Sequence, residues 1–214
     1  AAVIEQATSL TEQYPGAFVV WDLLGISAAK TGQLDKAILA FQRVIAIKPD
    51  YADAYNNMGN ALKYQGKLVE AVEVYTKALS LKPDHAEAYY NMGHALQEQG
   101  KLDEAIEAYT KVLAIKPDHA EVYCNMGAAL HNQGKLDEAI ASYNKAITIK
   151  PDYADAYYNM GAALKDQDKL DEAMEFYIKA LAVKPDYADA YNNMGVALQD
   201  QGKLDEAIEA DSKV

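Results

Sequence analysis

Apolar residues along this chain recur at helical spacing, and the pattern restarts every 34 residues. Between residues 84 and 117 one stripe consists of Tyr89, Met92, Gly93 and Leu96. A second stripe follows and consists of Ala105, Tyr109, Val112 and Leu113. Residues spaced three and four apart share one side of an α-helix. The pattern therefore predicts two amphipathic helices in each 34-residue unit.

Glycine and proline mark the same period. The glycines are Gly25, Gly59, Gly93, Gly127, Gly161 and Gly195, and the prolines are Pro15, Pro49, Pro83, Pro117, Pro151 and Pro185. A fixed period of this length indicates a repeat array. We number positions within a unit from Phe18, Ala52, Ala86, Ala120, Ala154 and Ala188. The predicted organisation is an N-terminal packing helix or partial repeat over 1–17, repeats at 18–51, 52–85, 86–119, 120–153 and 154–187, and an incomplete repeat at 188–214.

Local signals predict where the helices begin and end. Asp84 is the expected N-cap of the first helix, with Glu87 completing a capping box. Gly100 is expected to end that helix in a left-handed conformation. Asp168 occupies the position where the other units have this glycine. Aspartate tolerates the left-handed region better than most residues do, so this turn is expected to persist with some strain.

The positions with the most constant side chains resemble those of the tetratricopeptide repeat (TPR) family. In the first unit they carry Trp21, Leu24, Gly25, Ala37, Phe41 and Pro49. The resemblance covers nearly the whole chain. It implies an all-α fold, a right-handed α-solenoid or superhelix of stacked helix-turn-helix units. In this family the first helix of each unit lines a concave groove, which is expected here to bind protein.

An asparagine row occupies position 6, on the face of the first helix that the apolar stripe does not use. It consists of Asn57, Asn91, Asn125, Asn159 and Asn193. A carboxamide offers a donor and an acceptor, which match a peptide group at two points. The row resembles the superhelical arm of the O-linked N-acetylglucosamine transferases and the grooves of armadillo-type import receptors. Two alternatives stay open: the asparagines hold neighbouring repeats together, or recent duplication copied them.

Side chains beside this row extend the expected site. Tyr90 and Tyr158 at position 5 are expected contacts, or else rim tyrosines with wet hydroxyls. Asn60 and His94 at position 9 are expected to extend the hydrogen bonding. Position 2 is acidic in units two to six, which helix capping suffices to explain. An acidic groove favours a neutral or basic client, and the absence of Lys or Arg at positions 2, 5 and 6 argues against a clamp for carboxylate tails.

Composition restricts the function further. The 214-residue chain has a formal net charge of −12, which disfavours nucleic acid and anionic membranes as partners. A single cysteine, Cys124, suits a reducing compartment, so a cytoplasmic location is expected. The four histidines form no i, i+4 pair, and no phosphate loop or catalytic motif is present. We therefore expect no enzyme activity, no metal site and no cofactor.

The resulting hypothesis is a protein-protein interaction scaffold that binds an extended, neutral to basic polypeptide in its groove. One alternative is the substrate-selecting arm of a glycosyltransferase-like enzyme whose catalytic domain lies elsewhere. The other is a structural scaffold that forms homo-oligomers through exposed terminal repeats. Because the chain starts and ends within a repeat, we expect it to be part of a longer protein, or else to end where self-association covers it.

Overall fold

The computed structural model of the protein describes residues 2–200 and 202–203, without the side chains of residues 2, 3 and 200. Within these residues the chain forms twelve α-helices and no β-strand, which confirms the predicted all-α repeat fold. The second half of the incomplete last repeat, from residue 204 onward, lies outside the described residues. The chain divides into two compact units, unit 1 at 1–115 and unit 2 at 116–214.

Unit 1 contains seven helices in four steps of the repeat. They are α1 (Ala2–Gln13), α2 (Phe18–Lys30), α3 (Leu34–Ile47), α4 (Ala52–Tyr64), α5 (Leu68–Leu81), α6 (Ala86–Glu98) and α7 (Leu102–Ile115). Unit 2 contains five described helices. They are α8 (Ala120–Asn132), α9 (Leu136–Ile149), α10 (Ala154–Asp166), α11 (Leu170–Val183) and α12 (Ala188–Asp200). In each repeat the first helix is 13 residues long and the second, where described, is 14.

A glycine on the first helix and an aromatic ring on the second bring the two helices of repeats one to five together. A Cβ atom built on Gly93 would lie 2.6 Å from Cε1 of Tyr109. Tyr109 is fully buried, as are Tyr75, Tyr143 and Tyr177 at the same position. The absence of a side chain at position 8 therefore lets the ring occupy the space between the two helices.

The turns between paired helices use the left-handed conformation as expected. Gly100 has φ +74° and Asp168 has φ +62°. In both turns the residue that follows donates its N–H to the helix, from Lys101 to Leu96 at 2.9 Å and from Lys169 to Leu164 at 3.0 Å. A bond from the residue after the left-handed one back to the last turn of the helix is characteristic of the Schellman motif. The turn therefore keeps its geometry when aspartate replaces glycine.

The predicted capping boxes are wrong. Helix α6 begins at Ala86 with His85 at the N-cap, so Asp84 lies one residue too early, and no side chain caps the helix. The same holds for α4 and α10, whose N-cap residues are Tyr51 and Tyr153. The tight turn after each proline places the acidic residue outside the cap position. Position 2 still puts a carboxylate in the first helical turn, where the helix dipole favours it.

The sequence of α1 contains two overlapping i, i+3/i+4 stripes, one of Val3, Ala7 and Leu10 and one of Ile4, Ala7 and Thr11. Among residues 4–13 of this helix Ile4, Ala7 and Thr11 are buried, whereas Leu10 is 37% exposed. Ile4 and Ala7 pack in one cluster with Leu24 and Ala40 of the first repeat. The stripe that begins at Ile4 therefore packs against α2 and α3.

Candidate functional site

The five asparagines of position 6 lie at equivalent places on the first helices. Asn57 and Asn91 belong to α4 and α6 of unit 1, and Asn125, Asn159 and Asn193 belong to α8, α10 and α12 of unit 2. All five are half-buried. We call the helix face that carries positions 2, 6, 9 and 13 the ladder face, and describe it separately in each unit.

Three of these asparagines donate a hydrogen bond to position 5 of the preceding first helix. Asn91 Nδ2 donates to Asn56 Oδ1 at 3.1 Å in unit 1. In unit 2, Asn159 Nδ2 donates to Cys124 Sγ at 3.5 Å and Asn193 Nδ2 donates to the Tyr158 hydroxyl at 2.9 Å. The row therefore links successive helices within each unit, as the structural alternative expected.

These bonds leave part of each carboxamide available. Each uses one N–H, and a primary amide has a second N–H and an oxygen with two lone pairs. In Asn159 and Asn193 that oxygen accepts no hydrogen bond from the part of the chain that the structure describes. Anchoring by one N–H also fixes the direction of the remaining groups. The arrangement can thus present oriented amides to a bound chain while it holds the stack together.

Asn57 differs from these three, because its carboxamide makes no hydrogen bond with any described residue. It lines an open pocket of about 390 Å³ in unit 1. The pocket is lined by Ile26, Ala29, Lys30, Phe41, Asn57, Asn60, Ala61 and Tyr64. The structure thus brings together two predicted site residues, Asn57 and Asn60, beside apolar side chains.

Sequence reasoning missed Ile26 and Tyr64 as parts of this pocket. Both lie on the ladder face, at positions 9 and 13, and Tyr64 is 73% exposed. The sequence did contain a signal for this pocket, because later units carry mostly small or charged residues at positions 9 and 13.

Tyr90 and His94 form an aromatic cluster in unit 1. Their rings meet edge to face, with centroids 4.6 Å apart. The ring of buried Tyr109 lies 5.9 Å from that of His94. Burial lowers the pKa of His94, and the nearby Lys63 lowers it further. Both effects favour the neutral imidazole, whose ring carries one donor and one acceptor nitrogen.

Tyr158 has a corresponding place in unit 2. Its ring lies 5.1 Å from that of Tyr187 and 6.1 Å from that of Tyr177. Burial raises the pKa of its phenol, with a smaller effect from Asp189. Its hydroxyl accepts the bond from Asn193. Tyr158 is half-buried, so one part of the ring supports the stack while the rest faces solvent.

The acidic side chains of position 2 make contacts other than helix capping. Asp53 Oδ1 lies 3.0 Å from His85 Nε2, and His85 is buried. Asp155 accepts a hydrogen bond from the Tyr187 hydroxyl at 2.9 Å, and Glu87 accepts one from Asn56 at 3.3 Å. The Asp53 side chain remains 48% exposed. The ladder face of each unit is therefore bordered by oriented acidic groups.

The buried tyrosine hydroxyls beneath the ladder face are satisfied unequally. Tyr75 donates to Asn60 Oδ1 at 2.7 Å and Tyr109 donates to Gln97 Oε1 at 2.9 Å. The hydroxyls of Tyr143 and Tyr177 have no partner among the described residues. Burial raises the pKa of all four phenols. Asn60 thus has a structural partner in addition to its place in the pocket.

Cys124 is a buried part of the stack. It is 3% exposed and accepts the Asn159 bond through its sulfur. Burial raises the pKa of the thiol, which opposes formation of the reactive thiolate. Within the described residues no three of the histidine, cysteine, aspartate and glutamate side chains are grouped to hold a metal ion. No described helix has the length and apolar character needed to span a membrane.

Comparison with known families identifies the repeat. The family model described as "TPR repeat" matches residues 29–66, 59–100, 93–134, 129–168 and 163–202. A search of curated proteins gave no match.

Solved structures share the fold. A crystal structure of MamA is 29% identical, covers 73% of this chain and 91% of its own, and has a TM-score of 0.69. YrrB, described as a TPR protein with an unusual peptide-binding site, is 22% identical with coverages of 87% and 96% and a TM-score of 0.73. MamA from Desulfovibrio magneticus RS-1 is 22% identical with coverages of 79% and 96% and a TM-score of 0.75.

Proposed function

This chain belongs to the tetratricopeptide repeat family, and from that premise we propose that it is a protein-interaction scaffold that holds an extended polypeptide along its ladder face. The observation that carries the proposal is the asparagine row, whose carboxamides use one N–H within each unit and keep further donor and acceptor capacity. An extended chain offers peptide groups at regular intervals, so repeated amides can bind it with little dependence on its side chains. The peptide-binding site described for YrrB supports a protein partner.

The proposed client is neutral to basic. Asp53 and Glu87 border the row in unit 1, and Asp155 and Asp189 border it in unit 2. These carboxylates would repel an acidic chain and attract lysine or arginine beside the bound main chain. The net charge of −12 acts in the same direction at longer range and disfavours nucleic acid.

The test is selection from a random dodecapeptide library, followed by fluorescence anisotropy with the enriched peptides. Asn91, Asn125 and Asn159 are changed to Ala together. One lost hydrogen bond weakens binding by about 1 kcal/mol, so each asparagine that contacts the peptide should contribute about a fivefold loss of affinity. Because Asn91 and Asn159 also link helices, circular dichroism melting must show that the variant remains folded. Equal affinity of the folded variant, or no enriched peptide, would contradict the proposal.

A single variant separates binding from stacking. Asn57 makes no bond within the described residues, so Asn57→Ala should weaken peptide binding about fivefold and leave the melting temperature unchanged. Asn193→Ala loses its bond to Tyr158 and should lower stability as well. If both variants lost stability and neither lost affinity, the row would be purely structural.

The same face would also serve as a substrate-selecting arm, as in the glycosyltransferases whose asparagines this row resembles. That role requires the same contacts. Sequencing the gene beyond the codon for Val214 distinguishes the two, since an arm requires a catalytic domain in the same protein.

Self-association is the second candidate, and a surface of unit 1 favours it. Leu39 is 63% exposed and lines a depression of about 520 Å³ with Trp21, Gln42, Arg43 and Ala46. Aromatic residues and arginine are enriched in protein interfaces relative to the rest of the surface. Sedimentation velocity over a hundredfold concentration range tests it, with Leu39→Glu as the variant. A wild-type monomer at every concentration would exclude this candidate.

A further inference from the structure

Asn57, the first asparagine of the row, does not form the hydrogen bond that links its counterparts to the preceding first helix. Asn91, Asn159 and Asn193 each bond to a residue 35 positions earlier. Asn57 has the same separation from Asp22, yet it makes no hydrogen bond with the described residues. Asp22 Oδ1 is buried and also has no partner there. The Asn57 carboxamide is therefore not used in stacking and is presented to the neighbouring pocket.

The pocket beside Asn57 has an apolar floor. Buried Phe41 forms it, where repeats two to five have tyrosine. A phenylalanine has no hydroxyl, so this floor requires no polar partner, unlike Tyr75 with its bond to Asn60. Ile26 and Tyr64 also line the pocket. An apolar group that enters the pocket thus leaves no buried polar atom unsatisfied at its base.

Two carboxamides converge on the same pocket. The oxygen of Asn60 accepts from Tyr75, which leaves its NH₂ group as donor. Asn57 keeps both its donor and its acceptor. Lys30 also lines the pocket and disfavours a cation there. The groups available to a ligand are therefore an apolar cavity and amides suited to the peptide groups on either side of a side chain.

We propose that this pocket is the anchor site of the client, and that it binds one large apolar side chain, aromatic or branched aliphatic, while Asn57 and Asn60 hold the adjoining peptide groups. The inference rests on the proposed function. The pocket's volume of about 390 Å³ lies within the usual range of small-ligand pockets and accommodates a large apolar side chain. The client's basic residues then lie beyond the anchor, toward Asp53 and Glu87. The anchor fixes the register of a chain that the asparagines would otherwise bind at any offset.

The test uses a capped single residue as probe, so that it does not depend on an identified client. N-acetyl-L-tryptophanamide is titrated into the ¹⁵N-labelled full chain and followed by ¹H–¹⁵N correlation spectra. Saturable shifts are expected in the side-chain NH₂ signals of Asn57 and Asn60 and in the backbone of α2 and α4. N-acetyl-L-alaninamide has the same amides without the apolar group and should cause no saturable shift.

Variants locate the site. Ala29→Leu fills the pocket and should weaken probe binding at least tenfold. Asn57→Ala removes one amide and should weaken it about fivefold, which corresponds to one lost hydrogen bond. The control Ala182→Leu makes the same substitution at an exposed position of α11, away from the ladder face, and should leave probe affinity unchanged. Melting curves confirm that each variant is folded.

The anchor proposal is overturned if the tryptophan and alanine probes cause the same shifts, or if folded Ala29→Leu binds as the wild type does. Its failure differs from failure of the proposed function. If selected dodecapeptides lose affinity in the triple asparagine variant but bind Ala29→Leu normally, the anchor fails and the ladder face remains the binding site. If they bind both variants normally, both proposals fail.

Discussion

Gly59 lies against Tyr75 so closely that a Cβ atom at Gly59 would be 2.5 Å from Cε1 of the ring. The ring is fully buried, and its hydroxyl is held by Asn60 on the same helix as Gly59. It therefore has no room to withdraw. This contact sets the spacing between α4 and α5, and α4 carries Asn57 and Asn60.

Gly59→Ala should therefore destabilise the protein. Forcing a methyl group into a packed contact costs about 1–3 kcal/mol, and the short distance favours the upper part of that range. Urea unfolding followed by circular dichroism measures the loss. Gly16→Ala is the control, because a Cβ atom there would meet nothing within 4 Å. Equal stability of the two variants would show that the ring moves aside at little cost.

The buried phenols should respond differently to loss of their hydroxyls. Tyr75→Phe removes a 2.7 Å hydrogen bond and leaves Asn60 without its partner, so a loss of about 1 kcal/mol is expected. Tyr143→Phe removes a buried hydroxyl without a described partner and should leave stability unchanged or raise it by about 1 kcal/mol. Chemical denaturation of the two variants gives the comparison. A similar loss in both would mean that Tyr143 has a partner in solution, such as a bound water.

Asp168→Gly should stabilise unit 2. Asp168 has φ +62°, and a non-glycine residue in the left-handed region is disfavoured by about 1 kcal/mol. Glycine removes this strain, although it loses more backbone entropy on folding. The converse change, Gly134→Asp at φ +74°, should lower stability by a comparable amount. Thermal melting of both variants checks the pair, and opposite signs are required.

Asp22 should make stability depend on pH. Burial raises the pKa of its carboxyl, and Asp53 raises it further. The folded state therefore binds a proton more readily than the unfolded state, whose pKa is near 3.8. Acidification through the interval between 3.8 and the higher folded pKa favours folding at this residue. Above the interval the ionised carboxylate opposes folding.

Asp22→Asn should thus raise the melting temperature at pH 7, and raise it less near pH 3. Asparagine at position 5 also occurs in the second repeat as Asn56, where it accepts the bond from Asn91. The exposed turn residue Asp50, changed to Asn, is the control and should leave the melting temperature nearly unchanged at both values. A loss of stability in Asp22→Asn that is equal at pH 3 and pH 7 would contradict the assignment.

Residues that act through local conformation were predicted well. The left-handed turn at Gly100 and at Asp168 depends on the backbone alone. The asparagine row was found because asparagine is uncommon inside helices. Helix starts were less predictable. Asp84 was the expected N-cap, but the turn after Pro83 places His85 at that position instead.

The sequence by itself determined the repeat, because a 34-residue period of apolar residues, glycine and proline specifies helix pairs whose apolar faces must be covered by their neighbours. Tertiary structure decided how each position-6 asparagine is used. Whether its carboxamide bonds to the preceding helix depends on the residue that packing places opposite it: Asn56 accepts the bond of Asn91, while Asp22 leaves Asn57 facing a pocket. Partners 35 residues apart become neighbours only when the helices stack, so no local pattern encodes that choice.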